Sequence, residues 1–529
     1  MTSRGAALVQ SSPLRAAIRH AAGWPATSGL CVILLAPLLV VDVPPLLDYP
    51  NHLARAFILA SLPGDAVLAR FYAPHWTIIP NLALDLLALP LMRVLPVHVA
   101  GRLLIALAVL LPVLGAVAYN AVLTARKPVR WWVLASGIVA YNGCVLYGFL
   151  NFEISLGLAL LLAAAWLRWR DARPVASVAL AVAGALALFA CHLMGLVFYF
   201  MLIGGAELAH LYPLRNGRCV GAVLARGLVL AAVAVPPVAL YAASDLRHLG
   251  GDARYLALGP KLAQIMLNFT NYDRPLDMAA AMLVMAVPLS GLALRWCRVP
   301  GPAAWTIGML SIAFIAVPSS WKGTFFIDAR FAIMLGFMLF AGVVPDTFPD
   351  RIRRPVIAVL TLIFVARMTV LTTAFVSHRT DLADLRAVLA PVQPGQAIYF
   401  ASVSKQEAPA YWDANPHWRE IANGQRVDLH LGALALIEHR AFWPFEFDNP
   451  SQQPIETRQP YRDLAERVGE VPDRQRTIAA NLCGFDDVLL LEADALPGLP
   501  DGRFRLLAQS GFAALYAVTQ CQPGPSTGG

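Results

Sequence analysis

The chain has 529 residues, of which 58% are hydrophobic and only 14% charged, and its mean hydropathy is +0.61. Those figures exclude an ordinary soluble protein and a disordered chain, and seven cysteines spread over the whole length exclude a small disulfide scaffold. The formal charge of +8 does not point to nucleic acid: 28 of the 41 Lys and Arg but only 14 of the 33 Asp and Glu precede residue 379, so the basic excess sits in the apolar part, where short cytoplasmic loops collect cations.

The first apolar run, about 21 to 41, follows Arg4, Arg15 and Arg19 and is longer than a signal-peptide core, which predicts a retained helix with its N-terminus inside. Directly after it the chain reads VVDVPPLLDYPNHLARA, with Asp42, Asp48, His52 and Arg55. If Pro50 opens a helix, His52 and Arg55 lie four and seven residues from Asp48 on one face. A carboxylate there can accept a proton from a hydroxyl while a cation holds phosphate; alternatively, Asp42 and Asp48 are solvated residues at a helix exit.

Residues 81 to 95, between Pro80 and Pro96, are too few to span and include Asp85 and Arg93. Leu82, Leu86 and Leu89 share one side and Asn81, Asp85 and Arg93 fall toward another, so an amphipathic helix lying on the membrane is expected. Runs of spanning length follow near 99–123, 131–148, 152–168, 174–191, 193–212, 222–243, 277–296, 303–320, 328–345 and 356–376. With about eleven spans, the clusters Arg126-Lys127-Arg130, Arg168-Arg170-Arg173, Arg215-Arg218, Arg295-Arg298 and Arg351-Arg353-Arg354 all fall inside; a span at 81–95 would put them outside.

The outer side then receives a first loop of about 42–98, the turn YGFLNFE with Asn151 and Glu153, loops at 244–276 and 318–329, and the C-terminal region. Interfacial aromatic belts compete as the account of that turn. His192, at the outer junction of the fifth and sixth spans, is either a packing residue or part of a site. SSWKGTFFIDARF brings Lys322, Asp328 and Arg330 beside Trp321 and Phe325, suited to a lipid phosphate and its chain or to snorkelling. Arg367, near the middle of the last span, should face the bundle interior or a wet cavity and be paired, with Glu207 a candidate partner.

From about 379 the charge density is that of a soluble domain. Strand-like runs at Ala397–Ser402 and Val488–Leu491 alternate with helical ones such as Tyr461–Val468, and a disordered tail is expected after residue 522. Cys483 and Cys521 are either a disulfide or two thiols, and the other five cysteines show no metal spacing. No phosphate-binding GxxxxGK[ST], strand-borne GxGxxG or HExxH occurs. The expectation is an α-helical polytopic membrane protein of about 11 transmembrane helices, N-terminus inside and C-terminus outside. It divides into a transmembrane domain, 1–378, and a small C-terminal α/β extracytoplasmic domain, 379–529.

A first span, an acid on the outer face, juxtamembrane helices, the proline-led NLALDLLALPLMRVLPVHVAGRLL with Gly101-Arg102 opening the next span, and an outer α/β domain: in this order the chain resembles the GT-C glycosyltransferases, such as protein O-mannosyltransferases and the aminoarabinose transferase of lipid A. The resemblance implies a multi-pass protein of a bacterial inner membrane. It would transfer a sugar from a polyprenyl-phosphate donor to a hydroxyl on a glycan, lipid or protein. Asp48 takes the place of the family's acidic base, with Asp42 in reserve. His52 or His192 can orient the reacting groups, and Arg55, Lys322 or Arg330 can neutralise the leaving phosphate. Neither an Asp-Glu pair in the first loop nor a WWD-like motif is present, so a divalent metal is left open. Two competing readings are a flippase of lipid-linked glycans and a non-catalytic scaffold in glycan assembly.

Overall fold

A computed structural model describes residues 24–125, 129–211, 219–414 and 418–521. The N-terminal arginines, Arg126, Lys127, Arg215, Arg218 and the tail after 522 lie outside the described residues.

The chain is mostly helical. A first apolar helix α1 (Trp24–Leu39) leads through Asp42 and Asp48 into α2 (Tyr49–Ser61), whose first turn contains Pro50, where the missing N–H costs no helical bond. Strand β1 (Tyr72–Pro74) and the ten-residue α3 (Ala83–Met92) complete the first loop. There follow α4 (Val97–Leu123), α5 (Leu150–Trp169), α6 (Pro174–Cys191), α7 (Leu193–Leu211), α8 (Cys219–Ala243), α9 (Arg274–Ala293), α10 (Gly301–Ala316), α11 (Ile327–Gly342) and α12 (Asp350–Leu389). Among the described residues seven helices are long and apolar enough to cross a membrane: α4 to α9, and α12; α1, α3 and α10 are apolar but shorter. Small residues let α4 and α5 pack backbone to backbone, since a Cβ on Gly157 would stand 2.3 Å from the Leu111 carbonyl carbon.

Two expected elements take a different form. Residues 131–148 are not one helix: Arg130–Val133 is helical, Leu134–Val139 is a 3-10 segment, and a last short turn, Gly143–Leu146, is capped by Asn142, whose side chain accepts from the Cys144 and Val145 N–H groups. An apolar run looks the same whether its helix is continuous or broken, so hydropathy could not separate the two. The segment still runs from the end of α4 to the outer turn, where the Leu47 and Asp48 N–H groups donate to the Leu146 and Tyr147 carbonyls. In α3, Leu86 and Leu87 are exposed as a membrane-facing side requires, but Asp85 faces protein and is fully buried.

Helix α12 has 40 residues and runs unbroken through residue 378 to Leu389. At about 1.5 Å per residue it is roughly twice the length that hydrocarbon demands, and its last turns pack against the C-terminal sheet. That sheet has the order β2 (Ile398–Ser402), β4 (Asp487–Leu491), β6 (Ala513–Val518), β5 (Phe504–Ser510), with β2 and β4 parallel and the other pairs antiparallel. The fully buried patterns of β2 and β4 reflect cover on both faces. Strand β3 (Ile455–Thr457) leaves that sheet and pairs antiparallel with β1, Tyr72 opposite Thr457. Cys483 and Cys521 are joined as a disulfide, with Cα atoms 4.9 Å apart.

Candidate functional site

Asp48 is the residue before α2, where the chain has left the first helix. The YG turn rests directly on it. Gly148 has φ +86°, and a Cβ there would stand 2.9 Å from the Asp48 and Tyr49 nitrogens, so only glycine lets the turn approach this closely. Asp48 Oδ1 lies 3.2 Å from Nδ1 of His430, a residue of the C-terminal region, and both side chains are partly open to solvent. His430 is held in place from behind, because Arg426 forks onto Asp428 at 2.9 and 2.6 Å and reaches Glu492 at 3.0 Å.

The segment carrying Phe447 docks on α2 through Asn51, which donates to the Phe445 carbonyl and accepts from the Trp443 indole. The Phe447 ring then meets both His52 and His430 edge-on, at 5.5 and 5.3 Å. Beside it, Glu446 Oε1 accepts the Phe447 N–H, while its buried Oε2 has no partner among the described residues. Burial pushes this carboxyl well above its ordinary range, helped by Asp448 and Asp85 and opposed by Arg55. Burial, with the charges of Arg55 and His430, holds the His52 imidazolium well below its usual pKa, so His52 is a neutral ring whose Nδ1 accepts from Arg55 at 3.2 Å.

Arg330 completes the group from α11. It is 6% exposed, its Nη1 donates to the Phe325 carbonyl, its Nε has no partner among the described residues, and its guanidinium lies 4.5 Å from the Phe149 ring centroid. Tyr147, Phe149 and Phe326 form an aromatic cluster beside it, and Phe326 has a left-handed φ of +58°. Asp48 and His192 lie within electrostatic reach of Arg330. A buried guanidinium with no carboxylate partner is costly, and an incoming anion removes that cost.

The other expected residues have different duties. Arg55 is fully buried in a two-pronged pair with Asp85, 2.8 and 3.0 Å, which fixes α2 to α3 and leaves it no access to a donor phosphate. Asp42 pairs with Arg386 at 2.6 Å, and Arg386 also holds Glu438, which meets His98 at 3.0 Å. Asn151 spends its amide on Asn81 and on the Leu84 N–H, pinning the start of α3. Lys322 donates to the Arg247 carbonyl in an exposed loop. His192 accepts the Met194 N–H and packs its ring on Phe152 at 5.8 Å. Glu153 is buried with neither oxygen partnered among the described residues. Arg367 is paired as its position demanded, but to Asp277; Glu207 lies elsewhere, held by Arg170, Arg226 and the Trp166 indole.

His430 and Glu446 have no signal in the sequence near Asp48, from which they are separated by most of the chain. Among the described residues no three His, Cys, Asp or Glu side chains converge, so Asp48 and His430 alone do not make a metal site.

No protein-family model matches the chain, and no curated protein matches it significantly. Two solved structures do. ArnT from Cupriavidus metallidurans in the apo state aligns with a TM-score of 0.53 and 12% identity over 94% of this chain and 98% of that one. The same protein bound to undecaprenyl phosphate gives 0.53 and 11% over 95% and 99%. At that identity the likeness is one of fold, and it extends over almost the whole of both chains: this protein has the fold of ArnT.

Proposed function

We propose that the protein is an integral membrane glycosyltransferase of the GT-C type, moving a sugar from a polyprenyl-phosphate donor to an acceptor hydroxyl at the outer membrane face. Its transmembrane part, about 1–378, carries the donor side, and the α/β unit that follows closes over it from outside. One observation carries the reading. Asp48, partly open and faced by His430, lies under the Tyr147–Phe149 turn, and Arg330, a buried cation with no carboxylate partner among the described residues, lies against the Phe149 ring of the same turn.

In this reading Asp48 accepts the acceptor hydroxyl's proton as the oxygen bonds to the anomeric carbon. The bond from that carbon to the phosphate oxygen breaks, and the polyprenyl phosphate leaves with its new negative charge facing Arg330. His430 orients Asp48, and the ring cluster at Phe149 and Phe326 meets the first isoprenoid units. The ligand of the second ArnT structure, undecaprenyl phosphate, is a lipid phosphate of the class this cation would take.

The test is transfer of radiolabel from a panel of polyprenyl-phosphate sugars by purified wild type, Asp48→Asn and Asp42→Asn. Asp48→Asn should lose about two to four orders of magnitude in rate, the usual worth of general base catalysis. Asp42→Asn should retain transfer, because its carboxylate is occupied by Arg386. Full activity in Asp48→Asn would move the base elsewhere, and absence of transfer with every donor would favour the flippase or scaffold.

A further inference from the structure

Two clefts open on the C-terminal unit, one within it and one where it meets the bundle, and the chemistry above uses only the end of the first. The first, about 740 Å³, begins at His430 and Glu446 and continues past Ser402 and Arg426. The second, about 640 Å³, lies between Tyr272 and Arg274 on the bundle side and Trp412, Trp418 and Asn423 on the other. Lys405 borders both, and each has the volume of a small-ligand site. The second also reaches toward the reacting end: Asn423 donates to the Tyr147 hydroxyl at 2.6 Å, and the Tyr147 carbonyl receives the Asp48 N–H.

Both clefts mix polar and apolar lining, and their charged side chains nearly cancel. In the first, Lys405 and Arg476 stand against Glu470 and Asp473, Arg426 being already taken up by Asp428 and Glu492; the second has Arg274 and Lys405 against Asp277 and Glu420. A phosphorylated head group would find no net attraction there. The linings instead offer what hydroxyl groups need, carboxylates, amides and guanidinium groups side by side, together with aromatic rings for the C–H faces of a sugar. Trp418 meets Tyr272 edge-on at 6.0 Å and has a left-handed φ of +53°, a conformation that a bulky residue adopts at a cost. Glu446 contributes a buried Oε2 with no protein partner among the described residues, at the end nearest His430.

We infer that the two clefts form one acceptor path for an uncharged oligosaccharide, with Trp418 as its stacking platform and Glu446 bonding a hydroxyl next to the reacting one. This rests on the proposed function only for direction, since the hydroxyl to be glycosylated is the one that arrives at His430 and Asp48.

The experiment is binding without donor. Full-length protein in nanodiscs is presented with immobilised neutral hexasaccharides (glucans, mannans and galactans), the matching monosaccharides and a doubly phosphorylated disaccharide. A neutral hexasaccharide should bind more tightly than its monosaccharide and with little dependence on salt. Trp418→Ala should weaken that binding by about tenfold or more, as loss of an aromatic anchor does, while Trp418→Phe retains most of it. The inference is overturned if no neutral saccharide binds, if only the phosphorylated disaccharide does, or if Trp418→Ala binds as wild type does. Because no donor is present, failure of sugar transfer would sink the proposed function and leave this result standing.

Discussion

Asp48 and Arg330 show how far a residue's surroundings decide its use. Arg55 and Arg330 looked alike as phosphate ligands, both being arginines beside aromatic or acidic neighbours at an outer helix end. Arg55 is saturated by the two oxygens of Asp85, whereas Arg330 has no carboxylate partner. Arg330→Lys should therefore keep the charge but lose the planar fork and the contact with Phe149, cutting transfer while leaving the melting temperature near wild type. Gly148→Ala should act differently, because the added Cβ meets backbone nitrogen at 2.9 Å in a left-handed residue. A loss of about 1–3 kcal/mol in unfolding free energy is expected, with activity falling as the turn lifts from Asp48.

The junction of α2 and α3 rests on a buried ion pair. Replacing one partner, as in Asp85→Asn or Arg55→Met, should cost about 3–5 kcal/mol because the other charge is left buried. The double variant Arg55→Met with Asp85→Leu should recover most of that loss in a thermal unfolding series; full additivity of the single losses would mean that the pair is not the unit that holds α2 on α3. The broken segment at 130–146 shows the same dependence on neighbours. Gly137 sits against Leu30 and Phe364, and Arg367 donates to the Ile138 carbonyl, a group that a regular helix would use internally.

Across the molecule, the C-terminal unit is stitched to the bundle at several points: Asp42–Arg386–Glu438–His98, β1 with β3, and Asn51 with Trp443. Burial pushes Glu438 up, but the hydrogen bonds and charges of His98 and Arg386 outweigh it and hold the group at about 2, below its usual 4.5. A depressed carboxylate stabilises the fold above its unfolded pKa, so this contribution should be intact at pH 6 and decline as pH falls from about 4.5 toward 2. Glu438→Gln should flatten that part of the melting-temperature profile. Reporter fusions after residues 127 and 215 should both read inside; an outside signal at 127 would require a different path for the chain before it. Removal of 379–529 should leave an inserted membrane part, since spans satisfy their own backbone bonds, but one whose α2 region has lost Asn51's partners and the β3 edge.

Hydropathy and charge were enough for the membrane class, most of the helices, a helix at 83–92 of only ten residues, and β2, β4 and the helix at Tyr461–Val468. These follow from local composition and period, which a single stretch of chain carries by itself. Asp48 stands out as a candidate for the same reason, as an acid next to a first helix. His430, Glu446 and the cleft they line carry no such local mark, because His430 meets Asp48 only when the C-terminal unit folds back on the first loop. Which carboxylate an arginine meets is also a matter of packing: the Asp85 that claims Arg55 and the Asp277 that claims Arg367 are 30 and 90 residues away, and no local pattern records such a pairing.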